Sequence, residues 1–413
     1  MRDWTRKKTV HLGMITCYLD SQDYSALTDP KLDAPDRRQI KATLLHLAHT
    51  KQVRFAFSAA AVCESVSLTA EATHLAELKA ELLSELCGPN ALVSFDRLVE
   101  AEVNALACRS GPPTDMFDPN GRWFPEILLD DDPQQYWERI RQIAEEEMRG
   151  MGLSRQQRRA QSRALVKNGK PRSALRVHLT QQEPGSLLAE LLKKYPMRPE
   201  YAEVMERYAL GRASEKDFSE ALMNSLTDPR WMMKWFTTQH SISSPIANMV
   251  RKPGRELGQA MRSLAEVSRQ WVTALRNADL DANPTGKHGL ITSRWDKLVG
   301  QQLIAIIRRM ASMTGIKLDE FEVGDVGTYC PGVSTGVRSM YSSLWENVGG
   351  GRKEEPSDSQ PVDAMHAFYA PYVTVFRADR FMAPHIQRQV RNVGTIVVPR
   401  LSQLVGTLEK QLF

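Results

Sequence analysis

Apolar residues along this chain repeat in two rhythms. Val10 to Leu19 is a run of β-branched, aromatic and aliphatic residues without a helical period, which predicts a buried strand. From Arg37 to Thr50 the spacing of Ile40, Leu44, Leu45, Leu47 and Ala48 predicts an amphipathic helix. Val53 to Phe57 alternates as a short strand, and Ser58 is placed to cap a helix starting near Ala59. Ala70 to Leu86 reads as a helix with Leu75, Leu78, Leu82, Leu83 and Leu86 on one side, stopped by Gly88-Pro89. Strand and helix therefore alternate through the first hundred residues, the pattern of an α/β lobe.

The rhythm changes after Cys108. Gly111-Pro-Pro, Asp118-Pro-Asn-Gly121 and Asp130-Asp-Asp-Pro133 are rich in turn residues. From Gln134 to about Met313 helical spacing dominates, with a loop expected over 281–289. The three glycines at 349–351 and the charged and turn residues up to Pro361 read as a linker. Beyond it the α/β rhythm returns. Val362 to Ala370 is a predicted helix, Tyr372 to Phe376 a strand, Pro384 to Val390 a helix, Thr395 to Val398 a strand and Ser402 to Gln411 a helix. The outer pieces, 1–108 and 355–413, together have the size of one ordinary domain. The expected organisation is thus one discontinuous α/β lobe, interrupted by a mostly helical insertion over 109–348, with the linker at 349–361.

Composition narrows the classes. Of 413 residues, 42% are hydrophobic, enough to build a core and to exclude a globally disordered chain. The net charge of +5 leans towards anionic partners. Five cysteines without a CxxC pair argue against disulfides and a zinc site, and suggest a reducing compartment such as the cytoplasm. No apolar run approaches the length of a membrane-spanning helix, so no membrane partner is expected.

Within this pattern, acids recur at the ends of predicted core elements. Asp20 follows the first strand, and Glu64 lies about two turns into the helix after the second. Asp363 opens the helix after the linker, and Asp379 follows the next strand. In an open α/β sheet, ligands gather at the carboxyl ends of strands. Carboxylates brought together there repel one another unless a cation is present. Mg²⁺ and Mn²⁺ are hard ions that take oxygen ligands, and they activate water and neutralise phosphate charge in phosphodiester hydrolysis. Asp20, Glu64, Asp363 and Asp379 are therefore the candidate metal-holding and catalytic residues. Asp96, Glu100 and Glu102 stand as outside candidates for an extra ligand. Asp23 is expected at the surface, with an outer-sphere contact as its alternative, and His366 as a packing or supporting residue.

The first strand with Leu19-Asp20-Ser21-Gln22, then Phe57-Ser58 with Glu64, then Val362-Asp363-Ala-Met-His-Ala, then Phe376-Arg-Ala-Asp379, and last Thr395-Ile-Val-Val-Pro399 resemble, in order, the motifs of the PIN-domain ribonucleases. This resemblance implies a three-layer α/β/α sandwich around a central parallel sheet. It also implies Mg²⁺- or Mn²⁺-dependent cleavage of RNA, with DNA the lesser substrate. Gln22 stands where asparagine is common in the family, and Ala378 where threonine is usual.

Between Arg149 and Gln182 there is no acid. Arg155, Arg158, Arg159 and Arg163 are spaced to share one helix face, and Lys167, Lys170 and Arg172 continue the charge. Such a face suits phosphate contacts, so nucleic acid is the expected partner. A protein partner or a second copy of the chain is a further candidate through the helical insertion. Trp231 and Trp235, at helical spacing, are expected in the core. The sequence offers no Gly-x-x-x-x-Gly-Lys-Ser/Thr loop and no Gly-x-Ser-x-Gly elbow. The spacing of Asp20 and Asp23 also departs from the Asp-x-Asp of haloacid-type phosphatases. The competing reading is a non-catalytic PIN-like adaptor that binds RNA or a protein through its basic helices.

Overall fold

The computed structural model describes residues 14–65, 73–124, 148–149, 152–167, 170–171, 198–209, 212–238, 245–277, 284–349 and 360–412. By its contacts the chain divides into two units, residues 1–65, 81–123 and 249–413, and residues 66–80 and 124–248.

The first unit is mixed α/β. Its sheet consists of β1 (Ile15–Tyr18), β2 (Val53–Ala56), β5 (Val375–Arg377) and β6 (Ile396–Val398), all parallel, in the order β2-β1-β5-β6. An isolated parallel bridge from Phe57 to Ala91 continues the pairing beyond β2. The strands are short and mostly buried, which is why β1 and β6 read as apolar runs, while half-buried Arg54 gives β2 its alternation. Thr16 and Thr374 join β1 to the approach of β5, the amide of each donating to the hydroxyl of the other at 3.2 and 2.8 Å. Of the expected strand over 10–19, residues 10–13 lie outside the described residues, and among the rest β1 takes in Ile15–Tyr18, with Met14 and Leu19 flanking it.

Helices α1 (Ser21–Thr28) and α2 (Pro35–His49) connect β1 to β2. After β2 come α3 (Ala59–Ser65), α4 (Thr73–Cys87) and α5 (Phe95–Cys108). Neither α1 nor α5 follows from the sequence reading above. Both begin at a polar residue, Asp20 and Ser94, that ends an extended segment and starts a helix.

The second unit contains α6 (Arg155–Leu165), an antiparallel pair β3 (Val166–Lys167) and β4 (Lys170–Pro171), then α7 (Pro199–Ala209), α8 (Glu215–Thr227) and α9 (Pro229–Thr238). Helices α7 and α8 pack together, as do α8 and α9, and Trp235 is buried. Arg155 and Arg159 on α6 are exposed and Arg158 is half-buried. Arg163 lies on α6, Lys167 on β3 and Lys170 on β4, whereas Arg172 lies outside the described residues.

Three long helices follow: α10 (Pro245–Asn277), α11 (Pro284–Thr314) and, after the short α12 (Val323–Tyr329), α13 (Pro331–Val348). The loop expected over 281–289 is helical from Pro284 onwards, because proline suits a first helical turn and Gly286 and Gly289 are tolerated there. The unit division also differs from the boundaries expected at 109 and 348, since residues 249–348 go with the sheet. The cause is packing: α11, α12 and α13 all lie on α5, and α13 packs on the helices that follow it. Those are α14 (Gln360–Ala367) and α15 (Met382–Val390), with α16 (Leu401–Leu412) closing the chain against α2, β1 and β5. Of the expected linker, residues 350–359 lie outside the described residues, and Gln360 and Pro361 already belong to α14.

Glu102 on α5 fastens this assembly. It is wholly buried and accepts hydrogen bonds from the amides of Gly332 (2.5 Å) and Val333 (2.9 Å) in the first turn of α13. It also accepts one from the Tyr372 hydroxyl. Those are orphan donors of a helix start, and a carboxylate suits the positive end of the helix. Burial lifts its pKa to about 7 against the pull of these donors. Glu102 is therefore a structural anchor rather than an extra metal ligand. Its seat needs glycine: a Cβ at Gly332 would lie 2.6 Å from the Phe368 carbonyl oxygen and 2.7 Å from Glu102 Oε1.

Candidate active site

The chain leaves β1 towards β2 on one side and leaves β5 towards β6 on the other. The carboxyl ends of these two neighbours thus form the point where an open sheet accommodates ligands. Asp20 lies two residues beyond β1 and Asp379 two residues beyond β5. Asp363 reaches the same place from α14. Asp20, Asp363 and Asp379 line one small cavity together with His366 and Arg377, and its volume of about 10 Å³ is the scale of a single water. Glu64 approaches from α3 and joins through His366, whose Nε2 is 2.7 Å from Glu64 Oε2.

Each acid is held by the local chain. Asp20 caps α1, accepting from the amide of Gln22 at 3.0 Å, while Asp23 accepts from the amide of Asp20 at 3.2 Å. This reciprocal pair is a capping box, and it fixes the turn that brings Asp20 to the sheet edge. Asp379 Oδ1 accepts from the amide of Met382 at 2.5 Å, at the start of α15. Asp363 lies in the first turn of α14, inside the helix rather than ahead of it as an N-cap.

Electrostatics mark the cluster. Burial, followed by the charges of Asp20 and Glu64, lifts Asp363 to a pKa of about 8. Burial also raises Asp20, partly offset by His366 and the Gln22 amide. For His366, burial opposes the charged form, but Glu64, Asp20 and Asp363 outweigh it and bring the pKa to about 9. A protonated His366 donates from Nε2 to Glu64 and from Nδ1 to the Tyr18 hydroxyl at 2.5 Å. Tyr18 in turn lies 2.7 Å from the Ser58 hydroxyl. Tyr18 is wholly buried, stacked on Phe376 of β5 at 5.1 Å, so this chain of hydrogen bonds is seated in the sheet's core.

Asp23 is not at the surface, as the sequence suggests, but almost fully buried. It pairs with Arg377 at 3.0 Å, and burial brings its pKa to about 7 against the pull of that guanidinium. Arg377 is buried as well, and its Nε has no hydrogen-bond partner. Tyr18 and Arg377 belong to the site without any role expected from the sequence, and Asp23, expected at most as an outer-sphere contact, belongs to it as the partner of Arg377. Two signals point to Asp23 and Arg377, and none to Tyr18. Asp20-x-x-Asp23 has capping-box spacing, and an arginine inside the apolar run Val375-Phe-Arg-Ala378 demands a buried partner.

Five acids here face two cations, His366 and Arg377. The donors of the four candidate ligands are all carboxylate oxygens, which fits a hard divalent ion. Among the described residues, however, no group of three or more His, Cys, Asp or Glu side chains is gathered at metal-holding spacing. Asp20, Glu64 and Asp379 are instead turned towards Gln22, His366 and Met382 respectively. No helix among the described residues is long and apolar enough to cross a membrane. A scan against protein-family models, a search of curated proteins and a search of solved structures return no match to the chain.

Proposed function

We propose that this chain is a metal-dependent nuclease of the PIN-like kind, cleaving phosphodiester bonds of RNA. The observation that carries the proposal is the shared cavity of Asp20, Asp363 and Asp379. These acids come from three separate elements at opposite ends of the chain and meet where a parallel sheet leaves its ligand crevice. The PIN resemblance alone ranks RNA ahead of DNA, and the same resemblance suggests the three-layer sandwich.

Asp20, Glu64, Asp363 and Asp379 would hold Mg²⁺ or Mn²⁺. A bound ion of this type supplies charge neutralisation at the phosphate and acidifies a water for attack. The chain's own residues do the positioning. His366 fixes Glu64 from one side and is itself fixed by Tyr18. Arg377 holds Asp23, which holds the amide of Asp20 and so sets the orientation of the strand-end turn. The raised pKa values of Asp20 and Asp363 express a concentration of negative charge that a divalent ion would relieve. The exposed arginines of α6 support a nucleic-acid partner.

The test is cleavage of labelled single-stranded RNA and DNA in Mg²⁺ and in Mn²⁺ by the full chain and by Asp20→Asn/Asp363→Asn. Metal-dependent cleavage that the double variant lacks supports the enzyme. No cleavage by the unaltered chain, or equal cleavage by the variant, favours the adaptor.

A further inference from the structure

Beside the carboxylates, on the same edge of the sheet, opens a pocket of about 500 Å³. This is far larger than the water-sized cavity between the acids and lies within the range of ligand sites. Arg377 and Asp379 line both this pocket and that cavity, so the two are neighbours across those side chains.

Its walls are built to receive an anion. The first turns of three helices line it: α1 through Gln22, α2 through Arg37, and α16 through Leu401 and Ser402. Helix starts present amides and a positive dipole end. The start of α1 is already met by Asp20 on the Gln22 amide, which leaves those of α2 and α16. The residue that caps α2, Ala34, gives no side-chain acceptor to that helix. Around these turns stand Arg37, Arg380 and Arg400. Arg380 and Arg400 are exposed, and among the described residues neither forms an ion pair. Arg37 is held over the rim by donating to the Leu32 carbonyl at 2.8 Å. A fourth arginine, Arg377, lines the pocket from the strand side, its guanidinium held by Asp23 at 3.0 Å and by the Val398 carbonyl at 3.4 Å. Of the acids present, Asp23 is neutralised by Arg377 and Asp36 serves the positive end of α2, which leaves Asp379 at the junction with the carboxylates.

We propose that this pocket is a backbone subsite that seats a phosphodiester of a single-stranded nucleic acid next to the carboxylate cluster. The inference deepens the nuclease reading and rests on it for the identity of the strand. Arginine suits the part because its fork matches two phosphate oxygens at once. The subsite also gives the acids what they lack. A cluster of carboxylates repels a phosphate, and a neighbouring set of guanidinium and amide donors holds the strand against that repulsion.

The experiment uses the full chain with Asp20→Asn/Asp363→Asn, so that binding is read without turnover. Fluorescence anisotropy of a labelled 12-nucleotide RNA is followed across salt concentrations, with and without Arg380→Gln/Arg400→Gln. Each lost phosphate contact to a single strand lowers the slope of log affinity against log salt by about 0.7. Two lost contacts lower it by about 1.4, which is about a 25-fold weaker affinity at 0.1 M salt relative to a 1 M reference. Arg380→Lys/Arg400→Lys keeps the charges and should retain most of the slope. An unchanged slope and affinity in the glutamine variant, with an intact unfolding transition, overturns the subsite. So does competition by uridine monophosphate as strong as that of the 12-mer, which would make this a mononucleotide pocket. Cleavage by the unaltered chain is scored separately. Metal-dependent cleavage with an unchanged slope removes the subsite alone, whereas a reduced slope without any cleavage removes the nuclease reading and leaves the phosphodiester site.

Discussion

Asp363→Asn separates a working carboxylate from a structural one. Asp363 is 7% exposed, and burial with the charges of Asp20 and Glu64 lifts its pKa from 3.8 to about 8. The folded state therefore keeps a proton that the unfolded state releases. Below pH 3.8 both states are protonated and stability is undiminished. Between that value and about 8, stability falls by about 1.4 kcal/mol for each pH unit. At pH 7 the accumulated loss is about 4 kcal/mol. This is a ceiling, because a turn of the side chain or a proton shared with Asp20 relieves part of it. Asparagine has nearly the same shape and cannot ionise. In EDTA the variant should exceed the unaltered chain by about 1–4 kcal/mol at pH 7, and the difference should vanish near pH 4. The assay is urea unfolding followed by circular dichroism at pH 4, 6 and 7. Asp23 and His366, raised to about 7 and about 9, tilt the profile in the same sense, so the difference between the two proteins is the quantity to read. With Mn²⁺ at a hundredfold excess over its dissociation constant, the unaltered chain should gain about 2.7 kcal/mol and the variant little. A variant that is less stable than its parent at pH 7 in EDTA would refute the reasoning, since the carboxylate would then be contributing to the fold.

Glu102→Ala should act oppositely, as a purely structural loss. It leaves the amides of Gly332 and Val333 and the Tyr372 hydroxyl without their acceptor, at about 1–3 kcal/mol for each buried group. A fall in unfolding free energy below about 1 kcal/mol would contradict the anchor role. Replacing Arg155, Arg158, Arg159 and Arg163 by glutamine should lower the salt slope of single-stranded RNA binding by about 2.8 if all four meet phosphates. An unaltered slope in that titration removes α6 from the interface.

The apolar runs made the central strands legible, because strands buried on both faces carry continuous β-branched and aromatic residues. Val53–Ala56 and Ile396–Val398 fall where the pattern puts them. The start of α3 was equally visible beside Ser58. Helices α1 and α5 were not. Helix α1 is eight residues long and mixes polar and apolar positions, so its identity comes from the capping box and from packing on α2 and α3. Asp23, expected at the surface, and Glu102, an outside candidate for an extra ligand, are both set by distant partners. A charged residue reads as surface until a helix start or a guanidinium is brought to it from more than two hundred residues away.

The sequence alone determined that strands end in acids and that a basic, acid-free stretch follows, because both are properties of neighbouring residues. Only the folded chain decided which of those acids share a cavity. Parallel pairing of Ile15–Tyr18 with Val375–Arg377 brings Asp20 and Asp379 to one edge, and that pairing joins segments about 360 residues apart. Partners so distant leave no local periodicity to read. Burial then makes their charges felt across the cavity in a way that solvent would screen along an extended chain.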